Sequence, residues 1–259
     1  MKMTLSKPVT AIFAAPFLAL ALTACSDNSG SEKKAAEAPA KPAAEAPAKT
    51  EAPAAKPAEA PAATPAKAEV KVPEAQGEAD VAKLMEAGAL PDQWLGDEKA
   101  PVTIIEYAST TCGHCAHFHE TTWPELKKAY IDTGKVHFVL REFPFDPRAT
   151  AAFMLARCSG SNYYPMIDVL FSQQNVWARA PQETAAQVMF QTVKIAGFSQ
   201  ESFDACLKDQ QLLDNVNAVR NKAADEFKVD ATPTFFINGK KYSGAMPFAE
   251  MAAIIDSME

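Results

Sequence analysis

The chain has 259 residues, a formal net charge of −7 and 48 % hydrophobic residues. Its pI is near 5.2 and no basic cluster runs along it, so the composition argues against a nucleic-acid binder. No aromatic residue occurs between Phe17 and Trp94, which places the core-forming sequence from Trp94 onward, about 165 residues and enough for one proper core.

The N-terminus has the layout of an export signal. Lys2 and Lys7 form a basic start, and Val9 to Leu22 form an apolar run. That run is shorter than the roughly 20 residues a membrane-spanning helix needs. It ends in Leu22-Thr23-Ala24-Cys25, small residues before a cysteine, as in a lipobox; the alternative is a simple cleavage site of the A-x-A type. Residues 1–24 are therefore expected to be a lipoprotein-type signal peptide, with Cys25 lipidated and the protein periplasmic and membrane-tethered. Residues 25–77 are expected to be a disordered linker. Between residues 35 and 68, 17 of 34 positions are Ala and 7 are Pro, and Ala-Glu-Ala-Pro-Ala occurs at 36–40, 44–48 and 58–62. Such a tract has no large apolar side chains to bury and behaves as a semi-stiff spacer, with a reach on the order of 100 Å.

A short amphipathic helix is expected over 78–90, within an N-terminal helical segment 78–95, with Val81, Leu84 and Met85 on one side. The main domain, 96–259, opens with Val102–Tyr107, β-rich and mostly apolar as a buried strand should be. Cys112-Gly113-His114-Cys115 follows within five residues, then a helical segment to about Tyr130, a break at Gly134 and a second strand over Val136–Leu140. Residues 146 to about 226 read as helical, with Asp146 as N-cap and Pro147 at the first helical position. Thr234–Ile237 and Lys240–Tyr242 flank Asn238-Gly239 as a hairpin. Pro247 opens a last helix whose Met251, Ile254 and Ile255 face inward. The fold class is α/β: βαβ, a helical block, then ββα.

Two cysteines separated by two residues, at a strand-to-helix junction, suit thiol–disulfide chemistry. At a helix N-terminus the exposed N–H groups and the helix dipole favour a thiolate at Cys112. Cys115, one turn in, would be more buried and would act as the resolving thiol. His114 would add a cationic or hydrogen-bonding neighbour. Two other readings stay open: a structural disulfide, and a metal site built from Cys112, Cys115 and His119. Cys158 and Cys206 both fall in the helical block, where a structural disulfide is expected and a second redox pair is the alternative. Thr232-Pro233-Thr234 stands just before an apolar strand. A proline there is anomalous unless a cis bond faces the cysteine pair.

Several stretches then resemble the bacterial DsbA-like branch of the thioredoxin superfamily. They are Ala100-Pro101-Val102-Thr103-Ile104, Thr111-Cys112-Gly113-His114-Cys115 with Phe118-His119, Tyr130 to Val136, Arg141-Glu142-Phe143-Pro144, and Thr232 to Gly239. The resemblance implies a thioredoxin fold with a helical insertion between its halves. It implies Cys112 as the attacking cysteine, Cys115 as the resolving one, and Thr232 and cis-Pro233 as substrate-binding. It also implies exchange with the thiols of exported proteins, reoxidation by a DsbB-like membrane partner, and no cofactor. Gly113 departs from the proline that DsbA carries there, and gives the dipeptide of protein disulfide isomerase. Isomerase or reductase action on the same fold is the alternative to an oxidase, and a non-catalytic metal-binding lipoprotein is the alternative from another class.

Overall fold

The computed structural model describes residues 70–259. The expected signal peptide, Cys25 and the linker up to residue 69 lie outside the described residues. Six strands form one sheet: β1 (Gly77–Glu78), β2 (Trp94–Leu95), β3 (Val102–Ala108), β4 (Val136–Glu142), β5 (Thr234–Ile237) and β6 (Lys240–Ser243). Their order across the sheet is β1-β6-β5-β3-β4-β2. β3 and β4 run parallel, and every other neighbouring pair is antiparallel.

Alternation along the strands separates two cores. From β3 and β4, Val102, Ile104, Ala108, Val136, Phe138 and Leu140 face the larger one. Ile105, Tyr107 and Val139 face the smaller one, together with Phe236, Phe227 and Leu84. Both faces are covered, which is why these strands read as nearly continuous apolar runs.

The β5–β6 turn behaves as its sequence implies. Asn238 (φ 45°) and Gly239 (φ 86°) both have positive φ, as a two-residue type I′ turn requires. At Gly239 a Cβ would lie 2.8 Å from the carbonyl oxygen of Ala79, so space as well as backbone demands glycine. The Asn238 side chain accepts from the Thr103 N–H at 2.8 Å and ties the hairpin to β3.

The helical block comprises α4 (Pro147–Cys158), α5 (Tyr163–Ser172), α6 (Gln174–Trp177), α7 (Ala185–Lys194), α8 (Gln200–Leu207) and α9 (Gln210–Phe227), with α10 (Phe248–Asp256) closing the chain; α1 is Val81–Leu84, α2 Gly113–Thr121 and α3 Trp123–Leu126. Asp146 caps α4 through the Ala149 N–H at 2.9 Å. Met251, Ile254 and Ile255 of α10 are fully buried.

Two expectations are corrected near the N-terminal side. The helix expected over 78–90 contracts to the four residues of α1, and of its three apolar positions only Leu84 is buried, while Val81 and Met85 are exposed. The linker does not run through residue 77. The Gln76 N–H donates to Lys241 O at 2.8 Å, Gln76 Oε1 accepts from the Ser243 N–H, and Gly77 pairs with Lys241. Strands of two residues carry no periodicity, so sequence could not announce β1 or β2. Arg141, on the smaller-core face of β4, anchors this segment. Its guanidinium donates to both oxygens of Asp92, to the Tyr107 hydroxyl and to the Leu84 carbonyl.

Cys158, at the end of α4, is disulfide-bonded to Cys206 of α8, across a separation of 48 residues. Closing such a loop contributes about 4 kcal/mol on the chain-entropy model. Replacing both cysteines by alanine should lower the melting temperature by about 10 °C, at the few degrees per kcal/mol expected for this size. Calorimetry checks this, and alkylation of Cys112 should proceed unchanged in the variant.

Candidate active site

β3 delivers the chain to its C-terminal edge, where Ser109 to Thr111 turn into α2. Cys112 is the N-cap, with extended backbone (φ −76°, ψ 121°) and no side-chain cap bond. Its sulfur is therefore left beside the free N–H groups of the first turn. Because β5 pairs with β3, Tyr107 facing Thr234, the residues just before β5 come alongside the cysteine turn. The Thr232–Pro233 peptide bond there is cis, and the Cys112 thiol donates to the Thr232 carbonyl at 3.3 Å.

Cys112 and Cys115 are both free thiols, the first half-buried and the second buried. Their acidities diverge. The Cys112 pKa is lowered to about 5, first by the hydrogen bond from Cys115, then by the Thr232 side chain and the backbone N–H groups of Cys115 and His114, all against the opposing effect of burial. In the protonated state the Thr232 hydroxyl is buried without a partner. On ionisation the sulfur becomes an acceptor and this hydroxyl becomes its donor. The Cys115 pKa is pushed well above the usual thiol value, chiefly by burial, then by Cys112 and by the charge of Glu106. One sulfur is thus held as an accessible anion and the other as a covered thiol, the arrangement that nucleophilic attack followed by resolution requires. His114 is exposed, and it is the backbone N–H of His114 that stabilises the thiolate.

Beneath the pair lies a polar contact that sequence reading did not identify. Glu106 sits in the middle of β3, fully buried, with both carboxylate oxygens on His119 Nε2 at 3.1 and 3.3 Å. The ring stacks on Phe171 of α5, centroids 4.2 Å apart. A carboxylate buried without such a partner would cost several kcal/mol. The signal was available: a glutamate in an otherwise apolar strand must find a donor. Nε2 of His119 is taken by Glu106, and among the described residues no group of three His, Cys, Asp or Glu side chains could hold a metal ion.

Gln174 of α6 was also missed, and nothing in its local sequence marks it. Its buried amide donates to the carbonyls of Thr110 (2.8 Å) and Cys112 (2.9 Å), which pins the turn to the helical block. Asp146 adds a second tie by accepting from the Thr111 hydroxyl at 2.6 Å.

This combination of sheet, cysteine turn, cis-proline loop and inserted helices defines a thioredoxin-fold protein. A family model described as thioredoxin matches residues 89–257. The Wolbachia pipientis α-DsbA1 crystal structure superposes with a TM-score of 0.62 at 30 % identity, covering 68 % of this chain and 94 % of that one. The crystal structure of a protein-disulfide isomerase from Novosphingobium aromaticivorans shares the fold at 22 % identity and a TM-score of 0.57. A Rickettsia felis protein provisionally named a protein-disulfide oxidoreductase is 35 % identical over 150 residues, 57 % of this chain and 53 % of that protein. The chain thus spans about half the length of the curated relatives it matches. It belongs to the DsbA-like branch of the thioredoxin superfamily.

Two measurements test the electrostatics. Iodoacetamide alkylation of Cys112 should titrate with a midpoint near 5, and Thr232→Val should raise that midpoint by removing a donor. In the reduced protein, the stability contributed by the thiolate is complete above the ordinary thiol value of 9.0, shrinks as pH falls and is gone below about 5. Denaturation of reduced wild type and Cys112→Ser should therefore converge toward acid pH and separate toward neutral pH.

Proposed function

We propose that this protein is a thiol–disulfide oxidoreductase that introduces disulfides into exported proteins through Cys112 and Cys115. The observation that carries the reading is the placement of Cys112 at the start of α2, half-buried against the Thr232–Pro233 loop and beside the covered Cys115 thiol, which lowers its pKa to about 5. A substrate thiolate attacks Cys112 Sγ of the disulfide form. The bond between the two cysteines breaks, and the electron pair leaves on Cys115 Sγ, which takes up a proton. A second substrate thiolate then attacks the mixed disulfide, the substrate leaves oxidised, and Cys112 departs as a stable thiolate. Stabilising the reduced, anionic form without stabilising the disulfide raises the reduction potential, which favours giving disulfides away. The Thr232–Pro233 loop lies against Cys112 Sγ and is where substrate backbone would be received. That the ring of His114 assists rests on its position in the motif. His114→Ala separates the ring from the backbone N–H, and a rise in the Cys112 pKa would support the assistance.

Equilibration with glutathione tests direction. A potential between about −180 and −120 mV supports the oxidase, and one near the thioredoxin value of about −270 mV overturns it in favour of a reductase. The reading also places the protein in the periplasm, tethered by a lipid on Cys25 and reoxidised by a DsbB-like membrane partner. It is supported by Leu22-Thr23-Ala24-Cys25 and the Ala/Pro tract that follows. Cys25→Ala should move the protein from the membrane fraction to the soluble fraction; a wild type already soluble defeats the tether.

A further inference from the structure

A cavity of about 590 Å³ opens directly beside the cysteine turn, between it and the inserted helices. Thr111 and Gly113, the residues on either side of Cys112, form its near wall, and Trp177, Met189 and Phe203 contribute an apolar floor. Gly113 leaves the entrance clear. Its φ is outside the positive region and a Cβ built on it would meet nothing within 4 Å. Neither backbone nor packing demands glycine there, but any side chain would project into the space beside the reactive sulfur.

The charge of the lining is the second observation. The protein is acidic overall, at −7, yet this cavity carries two guanidinium groups, Arg148 and Arg179, against one carboxylate, Asp146. Asp146 is already engaged by the Thr111 hydroxyl and the Ala149 N–H. Arg148 donates to the Ala178 carbonyl and the Gln182 side-chain oxygen, both neutral. Among the described residues neither arginine has a carboxylate at ion-pair distance. Uncompensated guanidinium groups on a partly apolar wall suit a carboxylate from outside.

We infer that this cavity is a subsite for a polypeptide substrate, and that it takes an acidic side chain lying close in sequence to the substrate's reactive cysteine. The inference rests on thiol exchange at Cys112 and adds selectivity to it. When the substrate sulfur is on Cys112, the adjoining substrate residue on the Gly113 side lies over the cavity. A carboxylate there gains Arg148 and Arg179, and a lysine meets like charge.

The test uses single-cysteine peptides identical except for Asp, Asn or Lys at a position flanking the cysteine, on either side in turn. Their rates of reducing the oxidised full-length protein are each normalised to the peptide's reaction with a small uncharged disulfide. At a flanking position on one side, Asp should outpace Asn by about fivefold, the effect of an ion pair worth close to 1 kcal/mol. The advantage should shrink in about 1 M salt and fall to near unity in Arg148→Gln/Arg179→Gln, with the dithiothreitol rate unchanged. Should the double variant fail to fold, Arg179→Gln alone, at an exposed side chain, should remove part of the advantage. Equal rates for Asp and Asn at every position, or an advantage that survives these substitutions, would overturn the inference. Failure of dithiothreitol to reduce the wild type would instead overturn thiol exchange itself.

Discussion

The pairing of β5 with β3 is the constraint on which the site depends. It sets Thr234 opposite Tyr107 and so carries Thr232 to within hydrogen-bond distance of a sulfur 120 positions earlier in the chain. A slip of one residue would turn Phe235 and Ile237 out of the larger core. The two cores that make the register costly to change therefore also hold the thiol in a defined environment. Acidity at Cys112 comes first from Cys115 and the helix start, and the sheet register adds the Thr232 side chain to it.

The second layer of organisation is polar and buried. Glu106 occupies a core position and is held by His119, whose ring is clamped by Phe171 from the inserted helices. Gln174 reaches from the same block to the carbonyls of the cysteine turn. The insertion does more than cover the sheet. It supplies the side chains that hold the turn from one side while the cis-proline loop holds it from the other.

Much of this was legible before any coordinates. The apolar runs of β3, β4 and β5, the Asn238-Gly239 turn, the Asp146-Pro147 start of α4 and the inward face of α10 are written in local periodicity and turn chemistry. The juxtaposition of the Cys112 turn with Thr232-Pro233 was reached through a resemblance, because nothing local joins residues so far apart. What escaped lacked a local signature. β1 and β2 exist because a sheet edge is present to pair with, and Gln174 is an ordinary polar residue until the fold points its amide at two carbonyls. Helical spacing groups His119 with Cys112 and Cys115, but it shows only which residues share a face and not that Glu106 lies across from the ring.

The long separation between β3 and β5 also bears on the newly made chain. The central strand and its cysteines are synthesised early, whereas the strand that brings Thr232 against them comes some 130 residues later, after the whole helical block. Contacts between such distant segments form slowly, because a large loop must be closed first. Until then Cys112 lacks the Thr232 side chain, one of the donors that lower its pKa. Part of the acidity of Cys112 therefore arrives only with the last strands of the sheet, whereas the part supplied by Cys115 and the first turn of α2 belongs to the early half of the chain.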